Sequence, residues 1–162
     1  MPDIFVPDAQ FMLAAINAAD EALPRGEGGP FGACIERDGK ILAVAHNTVL
    51  RDRDATCHAE VNAIRAASRA LGDFDLSGCT VYSTTEPCPM CFSALHWARI
   101  GRIVYSTRIA DVQALGFNEL CISNEQLRSL GGSSVQLVRD FIRAEGLALL
   151  KRWQGLPGAQ PY

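Results

Sequence analysis

The chain has 162 residues, enough for one domain with its own core but short for two. Apolar residues make up 48% and charged residues 20%, which excludes a disordered tail protein and a coiled coil. Against 15 Lys and Arg stand 18 Asp and Glu, and the net charge of −3 has the wrong sign for a dedicated duplex binder.

No N-terminal apolar stretch carries a basic flank, and the longest apolar runs, such as Ile41 to Ala45, fall far short of the ~20 residues of a membrane span. The 6 cysteines are therefore expected as reduced thiols in the cytoplasm, with close pairs reading as metal or redox sites.

In chain order, Asp8 to Leu23 reads as a helix, with Phe11, Met12, Ala15, Ile16 and Ala19 at helical spacing. Pro24 and the glycines after it end that helix. Phe31 to Glu36 and Ile41 to Ala45 flank an Asp38-Gly39 turn and predict a hairpin. Arg51 to Asp54 reads as a polar loop, and a helix follows from Thr56 or Cys57 to Leu71, stopped by Gly72. Thr80 to Thr84 predicts a buried strand, Cys88 to Ala98 a helix opened by prolines, and Ile103 to Thr107 another strand. Val135 to Val138 is a candidate fifth strand and Asp140 to Trp153 a final helix. Helices between most strands indicate a layered α/β domain with a mixed sheet over residues 1–154, leaving 155–162 as an irregular tail.

Two clusters carry chemistry. His58-Ala59-Glu60 and Pro87-Cys88-Pro89-Met90-Cys91 each stand where a helix begins, so both helix starts can point at one place. Cys88 and Cys91, three apart, share one helix face and can chelate one ion. His58, Cys88 and Cys91 supply three nitrogen and sulfur ligands and leave a fourth tetrahedral position open, the pattern of a catalytic zinc. Glu60 is the proton carrier nearest that position. A redox Cys-x-x-Cys pair would leave His58 and Glu60 without a role. A structural zinc would need a fourth ligand such as His46 or His96, neither in a paired motif. Cys34 and Cys79 fit small core residues, and Cys57 is expected to point away from the metal.

His58-x-Glu60 followed by Pro87-Cys88-x-x-Cys91 resembles the signature of the zinc-dependent cytidine and nucleobase deaminases. The resemblance implies an α/β/α sandwich with a five-stranded mixed sheet, one zinc per chain on His58, Cys88 and Cys91, and Glu60 as acid and base. It also implies hydrolytic attack by metal-activated water on a ring carbon bearing an amine, with release of ammonia.

Finer likeness points to the bacterial guanine deaminase branch. It lies in Gly28-Gly29-Pro30-Phe31-Gly32-Ala33, Glu86-Pro87-Cys88-Pro89-Met90-Cys91, Trp97-Ala98-Arg99 and Ala114-x-Gly116-Phe117-x-Glu119. By that likeness Asn47 binds the base, Phe31 and Trp97 lie against it, and Glu119 is a second proton shuttle. Tyr162 then ends a tail that reaches a partner's site in a homodimer. The same residues have plainer roles open to them: a turn for Asn47, core packing for Phe31 and Trp97, a loop acid for Glu119, a free terminus for Tyr162. Cytosine deaminase and tRNA adenosine deaminase are the rival enzymes, and a zinc-binding interaction module is the rival without turnover. Nucleic acid and membrane are not expected partners.

Overall fold

Alternating burial organises the molecule, which we describe over residues 4–162 of a computed structural model. The strands are β1 (Gly32–Arg37), β2 (Lys40–His46), β3 (Thr80–Thr85), β4 (Arg102–Thr107) and β5 (Gln136–Val138). They form one sheet in the order β2-β1-β3-β4-β5. β1 is antiparallel to both neighbours, while β3, β4 and β5 run parallel. The expected five-stranded mixed sheet is present.

Odd and even strand positions face different helices, as a period of two requires. Cys34, Tyr82 and Val104 pack with α1 (Ala9–Ala22) and α7 (Arg143–Gln154). Ala33, Ile35, Val81, Ile103 and Tyr105 pack with α3 (Ala59–Leu71) and α4 (Pro89–Trp97). β3 lies at the centre and is buried at every residue. Two apolar layers thus enclose the sheet, giving three layers in all.

Local chemistry fixes the element ends. The Asp8 side chain accepts from the Gln10 N–H at 2.9 Å and caps α1. Asp38 and Gly39, at φ 53° and 76°, form the two-residue hairpin turn. Gly32 is required by contact: a Cβ there would stand 2.0 Å from the Ala15 carbonyl oxygen, so α1 lies directly on β1.

Three helices lie in segments read as loop or left unassigned: α2 (Val49–Asp52), α5 (Ile109–Gln113) and α6 (Asn124–Gly131). The final helix begins at Arg143, not Asp140, because Asp140 and Ile142 turn left-handed at φ 58° and 40°. No described helix is long and apolar enough to cross a membrane.

Candidate active site and metal centre

His58 and Cys88 are N-cap residues, extended at φ −67° and −63°, just ahead of α3 and α4. The chain enters both helices from the same end of the sheet, so the two caps meet. Cys91 sits one turn into α4 and points the same way as Cys88. His58 Nδ1 lies 3.5 Å from both sulfurs, and the three donor atoms all fall within 4.8 Å of one another.

The donor set fits zinc. Hydrogen bonding from the Cys91 thiol, opposed by burial and aided by His58, lowers Cys88 to about 4, so one thiolate stands ready as a ligand. Cys91 is pushed up in turn, because its own thiol donates to Cys88 and is buried. Two thiolates and one imidazole balance a divalent charge and leave one coordination position open.

Glu60 follows from the first turn of α3 and is 6% exposed. Burial, with the Cys88 charge beside it, raises its carboxyl above the usual range. Ser83 Oγ lies 3.0 Å from Glu60 Oε1 and 2.6 Å from the Thr85 carbonyl oxygen. Ser83 carries no signal in the sequence beyond being a small strand residue.

A pocket of about 270 Å³ opens over this centre, lined by Phe31, Asn47, His58, Cys88, Glu119 and Tyr162 among others. Asn47 is 2% exposed. Its Oδ1 accepts from the Val49 N–H at 3.1 Å, while its buried Nδ2 has no partner among the described residues. Gly28 makes that placement possible, since a Cβ there would lie 2.1 Å from Asn47 Oδ1. Burial, again with Cys88 near, pushes Glu119 up to about 7, within reach of a proton-transfer role at neutral pH.

Phe31 meets Phe117 edge-on at 5.3 Å between ring centroids, and Phe117 meets Tyr162 at 5.3 Å and Trp153 at 5.0 Å. Phe117 is therefore the hub of the pocket's aromatic wall, a role its place in the Gly-Phe motif did not disclose. The tail lies against its own chain's pocket: the Tyr162 hydroxyl accepts from the Gly29 N–H at 3.1 Å, and the Tyr162 carbonyl accepts from Asn118.

Trp97 is not brought into the site. It is 77% exposed and lines a different depression with Phe92, His96 and Leu127. The reason is helical rise: at ~1.5 Å per residue, Trp97 sits roughly 12 Å along α4 from its start. Its expected contact with the base is corrected on this ground. His46 bonds Glu27 at 2.6 Å, His96 is exposed, and neither joins the metal-ligating group. Cys57 contacts Arg65 instead.

Comparison with known proteins agrees with this geometry. Residues 6–107 match the family model described as the cytidine and deoxycytidylate deaminase zinc-binding region. The chain is 43% identical to Bacillus subtilis guanine deaminase over 115 residues, covering 71% of this chain and 74% of that protein. It is also 43% identical to Aquifex aeolicus tRNA-specific adenosine deaminase over 96 residues, covering 59% of this chain and 63% of that one. A solved guanine deaminase from Nitrosomonas europaea superposes with a TM-score of 0.84 at 26% identity, covering 96% of this chain and 89% of that one. A solved tRNA:A34 deaminase superposes at 0.77 with 30% identity, covering 88% of this chain and 100% of that one.

Proposed function

The chain belongs to the family of the cytidine and deoxycytidylate deaminase zinc-binding region, and from that premise we propose that it hydrolyses a free nucleobase, guanine, to xanthine and ammonia. One observation carries the choice of a free base. The tail lines the pocket, with the Tyr162 hydroxyl held between the Gly29 N–H and Asn47 Oδ1. A polynucleotide strand would have to displace that contact, whereas a free purine matches the scale of the cavity of about 270 Å³.

In this reading His58, Cys88 and Cys91 hold the ion, and zinc when bound supplies the Lewis acidity that brings a water's pKa to about 7. The unpartnered Asn47 Nδ2 donates to an acceptor on the base edge and fixes its orientation. Phe31 and Phe117 present apolar surface to the ring. Glu60 accepts the proton of the attacking water and returns it to a ring nitrogen. Glu119 gives its proton to the exocyclic amine, the carbon–nitrogen bond breaks and ammonia leaves, and the proton that the new hydroxyl loses as the carbonyl forms restores the Glu119 acid. The reading takes the active form as a homodimer in the cytoplasm, where thiols stay reduced.

A second reading, deamination of adenosine in tRNA, is favoured by the equal identity to the Aquifex protein. A panel of guanine, cytosine, adenine and a tRNA anticodon stem, followed by ammonia release, tests both. Turnover of guanine alone is expected. Turnover of the anticodon stem with guanine untouched would replace the first reading by the second.

A further inference from the structure

Glu86 has had no role so far, yet it is 6% exposed and stands two residues before Cys88. Burying a carboxylate costs free energy unless its oxygens are satisfied. Here both are satisfied by backbone: Oε2 accepts from the Ile109 N–H at 3.1 Å and Oε1 from the Asn124 N–H at 2.9 Å. Ile109 opens α5 and Asn124 opens α6. One side chain therefore fastens both ends of the segment that brings Phe117, Asn118, Glu119 and Leu120 to the pocket.

The brace is doubled by its neighbours. Asn124, fully buried, donates from Nδ2 to the Pro87 carbonyl at 2.7 Å, and the Glu86 N–H donates to the Thr107 carbonyl at 2.7 Å. The Glu86-Pro87 pair, which leads straight into Cys88, is thus tied to the strand before the segment and to the helix after it. A carboxylate suits this place because the two N–H groups need two acceptors. A glutamine offers one acceptor and sets an amide donor against the second N–H.

We propose that Glu86 is a positioning residue for deamination, setting Glu119 against the pocket by clamping both ends of residues 109–124. The proposal rests on the reading of Glu119 as a proton carrier. A misplacement of about 1 Å in such a group lowers turnover by roughly 10²-fold, far more than it weakens binding.

The test compares zinc-loaded wild type, Glu86→Gln, Glu119→Gln and the double variant, with guanine as substrate. Steady-state kinetics, zinc content and hydrogen exchange over residues 109–124 are measured for each. Glu86→Gln is expected to keep zinc, to lower kcat by about 10- to 100-fold with a smaller change in KM, and to speed exchange in 109–124 while α3 is unchanged. Added to Glu119→Gln it should cost little more, since both act through one group. Wild-type kcat in Glu86→Gln, or a full multiplicative loss in the double variant, overturns the proposal. Should Glu119→Gln alone prove fully active, or guanine not be a substrate, the proton-carrier reading falls. Exchange then decides the clamp, and unchanged protection in 109–124 overturns it. If Glu86→Gln does not fold, Glu86→Asp keeps the charge but shortens the reach to the Ile109 and Asn124 N–H groups, and a kcat equal to wild type with unchanged exchange in 109–124 would overturn the proposal equally.

Discussion

The Tyr162 hydroxyl donates to Oδ1 of Asn47 at 2.8 Å, joining residues 115 positions apart. Asn47 Oδ1 thereby receives two bonds, from Tyr162 and from the Val49 N–H, which leaves Nδ2 as the side chain's free donor. The tail and the Val49 N–H together set which way the asparagine amide faces. The tail is held further by the Gly29 N–H, which donates to the same hydroxyl, by a backbone bond from Asn118 and by the edge contact with Phe117.

Loss of the hydroxyl's bonds should weaken substrate binding more than it slows chemistry. Tyr162→Phe removes two hydrogen bonds, one to Asn47 and one from the Gly29 N–H, each worth about 0.5–1.5 kcal/mol, so KM should rise about 5- to 100-fold with kcat within a factor of two. Deleting residues 158–162 should raise KM further at unchanged zinc content. Steady-state kinetics on both variants check this, and unaltered KM in the truncation would remove the tail from the site. Light scattering on the same samples measures the assembly, and a monomer at working concentration would remove the proposed dimer.

The metal centre predicts a stoichiometry. Three ligands converging on one point should bind about one zinc per chain. Cys88→Ala should lose the ion and the activity together. Chelation of the wild type should lower Tm by several degrees, because binding free energy is folding free energy here. Elemental analysis beside a melting curve reads both.

The sequence disclosed the centre because its ligands come in short local patterns. His58-x-Glu60 and Cys88-x-x-Cys91 are legible as pairs, and the helices they precede are legible from apolar spacing. Helix starts were less clear: α3 begins at Ala59, later than the expected Thr56 or Cys57, because Cys57 and His58 remain outside it and His58 is extended. That delay is what turns the imidazole toward the sulfurs. The helix α6 did carry a signal, a Ser123-x-x-Gln126 capping box, with Ser123 Oγ accepting from the Gln126 N–H. Its apolar stripe is short, and periodicity alone passed over it. Ser83, Glu86 and Asn124 act through partners far along the chain, a relation that no local pattern encodes.

Proton transfer separates the two site carboxylates. Glu60→Gln should keep zinc and fold while lowering kcat by about 10²–10⁴-fold, the scale of one acid–base group. Glu119→Gln should also lower kcat, chiefly in expulsion of the amine. Pre-steady-state release of ammonia distinguishes the steps. Near-normal turnover for Glu119→Gln would return that residue to a loop acid.

Acid stability has a separate anchor, far from the metal ligands in sequence. Arg143 Nη1 and Nη2 each donate to Asp111 at 2.8 Å, fastening α5 to α7, and the Arg108 N–H donates to the same carboxylate at 2.8 Å. The Arg143 hydrogen bonds, against a smaller cost of burial, hold the Asp111 carboxyl below its usual range. A carboxyl lowered on folding stabilises the folded state above its unfolded pKa of about 3.9 and loses that contribution as pH falls through the folded value. Asp111→Asn should therefore be less stable than wild type by about 1.5–3 kcal/mol at pH 7, the range for hydrogen bonds to a charged group. The difference should hold steady from pH 7 to 5 and shrink below about pH 4 as the wild-type carboxyl takes up its proton. Urea unfolding of both proteins at each pH measures it as a difference, so loss of metal common to the two cancels. A gap that stays constant down to pH 2, or that is absent at pH 7, would show that the Asp111–Arg143 pair contributes nothing through its charge.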